Sequence, residues 1–135
     1  KWAQKRLGAE RLPFAYAYQT LKNQLGWVAL GTDFPVEDIS PLATFHDAVF
    51  RKKINSNDAP FQPEEALSRE EALRGITQWA ALSMHMEDLI GTLEPGKKAD
   101  LVILNTDLMK CTPEAFKDIE ILKTIQAGKV VYEKL

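Results

Sequence analysis

The stretch WVALGTDFPV, residues 27–36, decides the predicted fold class of this chain. Its first part, residues 27–31, is apolar without polar alternation, which is typical of a strand buried on both faces of a parallel α/β sheet. A polar loop that contains proline follows directly. Because ligands bind at the carboxyl ends of strands in such sheets and barrels, this loop is where we expect a functional site.

Helical patterns flank this stretch on both sides. Apolar residues at helical spacing predict a helix over residues 9–25, and a second helix is predicted over residues 41–53. Ser68 and Glu71 form a capping box at the start of a third predicted helix, residues 68–83. A helix, a tight turn and a buried strand in this order indicate a repeating β/α architecture.

The pattern changes after residue 90. Residues 91–96 are rich in turn-forming residues, and residues 99–104 read as a strand. Residues 119–126 and 129–133 read as two further strands, joined as a hairpin at Ala127-Gly128. The chain therefore changes from mostly helical to mostly stranded near residue 90.

Composition excludes several classes of protein. The 135 residues carry 17 basic and 19 acidic side chains, a net charge of −2, so we expect neither nucleic acid nor an anionic membrane as a partner. No apolar run approaches the roughly 20 residues that a membrane span needs. The single cysteine, Cys111, excludes an internal disulfide framework and a cysteine-rich zinc site, and a cytoplasmic location is the default expectation.

Asp33 is the candidate catalytic residue. A carboxylate in a loop after a buried strand can act as a general base or as a metal ligand. The alternative is that Asp33 binds backbone N–H groups in a turn. Glu37 and Asp38 could supply a second carboxylate, or simply provide the acidic bias that precedes a helix. His46 and His85 lie far apart and read as structural residues, because neither has another histidine or cysteine at metal-ligand spacing.

Five segments, taken in order, resemble one known family. They are residues 2–21, LGTDFPV at 30–36, FQPEEALSREEAL at 61–73, GTLEPGKKADLVIL at 91–104 and TIQAGKVVY at 124–132. Each is similar to a late barrel segment or a closing segment of the YtcJ-like metal-dependent amidohydrolases. Any one motif is modestly specific, whereas the ordered set covers nearly the whole chain.

The resemblance implies an α/β fold in two parts. Residues 1–90 would form the last β/α portion of a (β/α)8 TIM barrel, with residues 27–31 as its eighth strand. Residues 91–135 would form the C-terminal strands of a small β-sandwich domain. A complete barrel takes about 250 residues, so both parts would be incomplete in this chain.

The resemblance also implies a reaction, the hydrolysis of non-peptide C–N bonds in small amides or cyclic amides. Asp33 would lie beside a divalent metal, expected to be zinc, and take the proton of the attacking water. The family's other metal-site residues have no counterpart here and are expected upstream of Lys1. They comprise an H-x-H motif, a lysine or glutamate, and two later histidines. We therefore expect this chain alone to bind no metal and to be inactive.

Other interpretations remain open at this stage. The chain could be a non-catalytic assembly or binding module derived from the same fold. A small nucleotide-binding domain has only the Gly91–Lys98 near-match to a phosphate loop in its favour, and a strand rather than a helix follows that segment. An unpaired strand at residues 27–31 predicts self-association, or a rearrangement of the helices that covers Leu30.

Overall fold

The structure, a computed structural model, describes residues 2–135, with Trp2 placed by its backbone alone. The α-helices are α1 (Trp2–Leu7), α2 (Tyr18–Leu25), α3 (Pro41–Phe50), α4 (Arg69–Ile76) and α5 (Gln78–Ser83). The strands are β1 (Leu101–Leu104), β2 (Ile121–Gln126) and β3 (Lys129–Glu133). Short 3-10 helices occur at Leu12–Phe14, Pro63–Glu65 and Pro113–Asp118.

The strands form one antiparallel sheet in the order β1-β2-β3. The predicted hairpin is confirmed: Ala127 and Gly128 connect β2 to β3 with φ of 47° and 77°. Two consecutive left-handed residues match the twist of the flanking strands in a tight hairpin. The Asp100 carboxylate accepts a hydrogen bond from the Ala127 N–H at 2.6 Å and so ties this turn to the start of β1.

The core lies where α3 and α4 meet the last 3-10 helix. Its buried apolar members are Phe45, Ala48, Leu67, Ala72 and Phe116. The Phe45 and Phe116 rings stack with their centroids 5.8 Å apart and their planes 17° from parallel. Because Phe116 comes from the 3-10 helix between β1 and β2, one core joins the helical and the stranded parts of the chain.

The helix predicted over residues 9–25 is confirmed only over its second half, as α2, and the helix predicted over residues 41–53 ends early, at Phe50. Tyr16 adopts a φ of 57°, which interrupts the first helix, and its carbonyl accepts a hydrogen bond from Arg51 at 3.1 Å. The second helix ends at Phe50 because Arg51 itself is left-handed, with a φ of 55°. The break at Tyr16 therefore coincides with a long-range contact of Arg51, whereas the end of α3 lies at the left-handed backbone of Arg51 itself.

The capping box is confirmed, but the helix that it starts is shorter than predicted. The Ser68 hydroxyl accepts from the Glu71 N–H at 3.2 Å, and the Glu71 carboxylate accepts from the Ser68 N–H at 2.8 Å. The predicted helix over residues 68–83 is divided at Thr77, where φ is −127° and ψ is −88°. The Thr77 hydroxyl donates to the Leu73 carbonyl at 2.6 Å, a side-chain bond that competes with regular helix geometry.

The strand predicted at residues 27–31 is not formed. A strand requires a neighbour, and within residues 2–135 the only sheet is the one made by β1, β2 and β3. The Leu30 N–H pairs instead with the Gly75 carbonyl of α4 at 3.0 Å. Residues 27–30 are half-buried, because α4 packs on part of the apolar run.

Phe116→Ala tests whether the shared aromatic core holds the two parts together. We expect the free energy of unfolding to fall by about 3–5 kcal/mol, because a fully buried ring leaves a cavity. Phe14→Ala is the matched control, since the Phe14 side chain is 83% exposed, and its loss should change stability by less than about 0.5 kcal/mol. Urea denaturation measures both variants, and equal losses would contradict the assignment of the core.

Gly91→Ala tests the close contact between α5 and the turn that precedes β1. A Cβ at Gly91 would lie 2.7 Å from the Ala81 Cβ and 3.2 Å from the Thr77 carbonyl oxygen, at a φ of +93°. Gly96 has a φ of +96° but no atom within 4 Å of its Cβ position. Gly96→Ala should therefore cost only about 1 kcal/mol of backbone strain, and Gly91→Ala about 1–3 kcal/mol more. Thermal denaturation of the two variants measures this difference.

Candidate functional site

Asp33 begins a turn directly after the half-buried residues 27–30. Its carbonyl accepts a hydrogen bond from the Val36 N–H at 2.8 Å, and its φ is 56°. The side chain is exposed, and its carboxylate has no hydrogen-bond or ion-pair partner among residues 2–135. The backbone of Asp33 thus forms the turn, which leaves the carboxylate available for chemistry.

The loop around Asp33 is held largely by its own polar groups. The Thr32 hydroxyl accepts from the Phe34 N–H at 3.3 Å, and the Asp38 carboxylate accepts from the Ile39 N–H at 2.8 Å. The Ser40 side chain then caps the N-terminus of α3. With the bond from the Val36 N–H, these contacts occupy three backbone donors of the loop, and all three bonds are local.

A close approach of α4 positions the segment before Asp33. A Cβ built on Gly75 would lie 2.7 Å from Leu30 Cδ1 and 3.3 Å from the Val28 carbonyl oxygen. Glycine at position 75 is therefore what allows α4 to pack directly on residues 27–30. The same contact fixes the segment from which the chain enters the Asp33 loop.

Glu65 caps the N-terminus of α2 from another part of the chain. Its carboxylate accepts from the Thr20 N–H at 2.9 Å and from the Thr20 hydroxyl at 2.5 Å, and the residue is only 9% exposed. Burial raises the pKa of Glu65, but these hydrogen bonds and the charge of Arg51 outweigh it and hold the pKa below its usual value. The local sequence carried no signal of this role, because the two partners are 45 residues apart.

Arg51 connects its own segment with those of Tyr16 and Phe61, near the N-terminus of α2. It donates to the Phe61 carbonyl at 3.0 Å and to the Tyr16 carbonyl at 3.1 Å. Its guanidinium lies over the Tyr18 and Phe61 rings, 5.6 and 5.8 Å from their centroids. Burial lowers the pKa of Arg51, while the neighbouring Tyr18 and Glu65 act in the opposite direction. The group stays charged at neutral pH, as arginine does in proteins.

The three carboxylates of the loop do not make a metal site by themselves. Within residues 2–135, no three histidine, cysteine, aspartate or glutamate side chains come together as ligands. Asp33, Glu37 and Asp38 therefore follow one another in sequence without converging on one point. A zinc site takes about four ligands, so Asp33 is a single candidate donor in the part of the chain that the structure describes.

The two histidines are placed apart from this loop. His46 is 1% exposed, and its ring packs against Phe50 and Phe116 at centroid distances of 4.9 and 5.1 Å. Its Nδ1 lies 3.0 Å from the Asp47 carboxylate. His85 is exposed in a turn, with a φ of 55°. The predicted packing role of His46 is confirmed.

Among the helices in the described part of the chain, none combines the length and the apolar character that crossing a membrane requires.

Residues 1–132 match the family described as the amidohydrolase family. The chain is 33% identical to the YtcJ amidohydrolase of Bacillus subtilis over 134 residues, which are 98% of this chain and 25% of that protein.

Two other relatives align over most of the chain. The protein LONG AFTER FAR-RED 3 of Arabidopsis thaliana is 39% identical over 132 residues, 95% of this chain and 22% of that protein. The N-substituted formamide deformylase of Arthrobacter pascens is 32% identical over 107 residues, 79% of this chain and 19% of that enzyme. The chain spans about a quarter or less of the length of these relatives.

Glu65→Gln tests the cap on α2 through its pH dependence. The pKa of Glu65 is lower in the folded chain, so its stabilising effect is complete above the unfolded-state pKa of about 4.3 and is lost as pH falls through the folded-state pKa. We expect the variant to be about 1 kcal/mol less stable than the wild type at pH 7, and this difference to shrink as the pH falls toward 3. Glu64→Gln, at the exposed neighbour, is the control; urea denaturation between pH 3 and 7 measures all three proteins.

Proposed function

The chain belongs to the amidohydrolase family, and from this membership we propose that the protein containing it hydrolyses non-peptide C–N bonds in small amides or cyclic amides. The observation that carries the proposal is the exposed and unpartnered Asp33 carboxylate, at the start of a loop whose shape its own backbone bonds set. The Arthrobacter relative is named as a deformylase of N-substituted formamides, and this name supports a C–N bond of an amide as the bond that is hydrolysed.

Asp33 is proposed to move one proton. Its carboxylate takes a proton from a water molecule as the water oxygen bonds to the amide carbon. The same proton is then delivered to the nitrogen as the C–N bond breaks, which yields a carboxylic acid and an amine and restores the carboxylate. A carboxylate held beside both atoms suits this general acid–base role.

The metal of this proposal has to be bound mainly by other parts of the protein. Asp33 is one oxygen donor, and the described residues bring no group of three possible ligands together. When bound, a divalent ion such as zinc lowers the pKa of a water molecule. We therefore propose metal dependence for the longer protein, with Asp33 at its metal, and no hydrolysis by the isolated chain.

We also propose an architecture for the two parts of the chain, a barrel and a β-sandwich. Residues 1–90 are the last part of the barrel, with residues 27–31 completing a strand once neighbouring strands lie on both sides. Residues 91–135 are part of the β-sandwich. In isolation, the half-buried run at residues 27–30 and the exposed sheet favour self-association. A cytoplasmic location stays a prediction from composition.

Asp33→Asn in the longer, metal-supplied protein tests the function. Asparagine keeps the size of the side chain but does not accept the proton, so kcat for a small amide should fall by about 100-fold or more. Asp38→Asn is the control, since its amide oxygen still accepts from the Ile39 N–H; its kcat should stay within about twofold.

Two results would contradict the proposal. One is full activity of Asp33→Asn with the metal content of the wild type. The other is that the longer wild-type protein hydrolyses no amide or cyclic amide when zinc or another divalent ion is supplied. Measuring kcat and bound metal in the same preparations separates a loss of proton transfer from a loss of the metal.

A further inference from the structure

The two helices that flank the Asp33 loop, α2 and α3, are joined at their far ends by one side chain. Arg51 is the C-cap of α3, and its guanidinium donates to the carbonyl of Tyr16, two residues before α2, at 3.1 Å. The same guanidinium lies over the ring of Tyr18, the first residue of α2, 5.6 Å from the ring centroid. Residues 16–51, with Asp33 near their middle, therefore form a segment whose two ends are held together.

The chain that follows α3 binds both ends of this segment. The Arg51 Nε donates to the Phe61 carbonyl at 3.0 Å, and the Phe61 N–H donates to the Arg51 carbonyl at 2.8 Å. Four residues further on, the Glu65 carboxylate accepts from the N–H and the hydroxyl of Thr20 in α2. Two charged residues thus hold the start of α2 and the end of α3 against one stretch of chain.

Both charged residues are buried within the chain itself. Arg51 is 8% exposed and Glu65 is 9% exposed, whereas arginine and glutamate are mostly exposed in proteins. Apolar side chains of similar volume often stabilise a fold as well as a buried charge pair or better. A guanidinium adds direction, because its rigid planar fork donates at fixed angles. These two residues therefore suit the task of holding two helices in one fixed relation.

We propose that Arg51 and Glu65 are positioning residues for the reaction: they fix α2 against α3 and so fix where the Asp33 carboxylate stands. The inference rests on the proposed function of Asp33. Proton transfer needs the carboxylate within hydrogen-bond reach of the atoms that exchange the proton, and a misplacement of about 1 Å can lower the rate on the order of 100-fold. Because both side chains are buried in the chain, they act through Asp33 and not by contact with the substrate.

Arg51→Lys in the longer, metal-supplied protein tests the role of the guanidinium. Lysine keeps the positive charge but lacks the planar fork that reaches two carbonyls. We expect kcat for a small amide to fall by about 10-fold or more, while KM stays within about twofold of the wild type. Bound metal is measured in the same preparations, so that kcat refers to fully loaded protein.

Arg69→Lys is the matched control. Arg69 also donates to two carbonyls, those of Leu108 and Cys111, and its guanidinium lies 5.2 Å from the Phe50 ring centroid. Its hydrogen bonds join α4 to the chain that follows β1, and none of them reaches α2. We expect the urea midpoint to fall in both lysine variants, but kcat of Arg69→Lys to stay within about twofold of the wild type.

A double-mutant cycle separates positioning from a general loss of structure. If Arg51 acts through Asp33, Arg51→Lys should change kcat by less than about twofold in a protein that already carries Asp33→Asn. A structural effect alone would lower kcat by the same factor in both backgrounds. Arg51→Met/Glu65→Gln is a second variant, chosen to fold because it leaves no unpaired buried charge. It should also lose about 10-fold or more in kcat.

Hydrogen exchange gives a readout that does not depend on the reaction. The Val36 N–H is bonded to the Asp33 carbonyl at 2.8 Å. In the longer protein it should exchange about 10-fold faster in Arg51→Lys than in the wild type, and within about twofold of the wild type in Arg69→Lys. This result supports the coupling of Arg51 to the Asp33 turn even if the wild type hydrolyses no amide, an outcome that contradicts the proposed function alone.

Three results would overturn the inference. One is an equal kcat in Arg51→Lys and Arg69→Lys. Another is the same factor lost on Arg51→Lys with and without Asp33→Asn. The third is unchanged exchange of the Val36 N–H in both Arg51→Lys and Arg51→Met/Glu65→Gln. Each of these would assign Arg51 and Glu65 to the stability of the fold.

Discussion

The stacking of Phe116 on Phe45 is the contact on which the rest of this chain depends. Phe116 also packs edge-on against His46 and Phe50, so one ring from the stranded part is surrounded by side chains of α3. Burial of such rings is among the largest stabilising contributions that a small core has. Because α3 directly follows the Asp33 loop, this contact also fixes the far end of the loop.

Local signals in the sequence predicted local structure well. The capping box of Ser68 and Glu71 and the hairpin at Ala127-Gly128 are both present, because each is complete within a few residues. The predictions failed where a distant partner decides the geometry. Tyr16 interrupts a helix through a bond to Arg51, which is 35 residues away, and the apolar run at residues 27–31 lacks the neighbouring strands that would make it a strand.

In the candidate site, too, local features could be predicted from the sequence and long-range contacts could not. Asp33 could be named from the sequence, because its position after an apolar run is a local property. The long-range contacts of Glu65 and Arg51 could not: Glu65 caps α2 and Arg51 joins three segments, and neither role has a local signature.

The contact between Gly75 and Leu30 makes the residue types that fit at these two positions depend on each other. A Cβ at position 75 would clash with the Leu30 side chain. The space between α4 and residues 27–30 therefore holds the Leu30 side chain and no further atom from position 75. A larger residue at one position is compatible with the fold only if the other becomes smaller. Homologous proteins should therefore vary at these two positions together, and a designer who wishes to strengthen α4 by removing its glycine must first shorten the side chain at position 30.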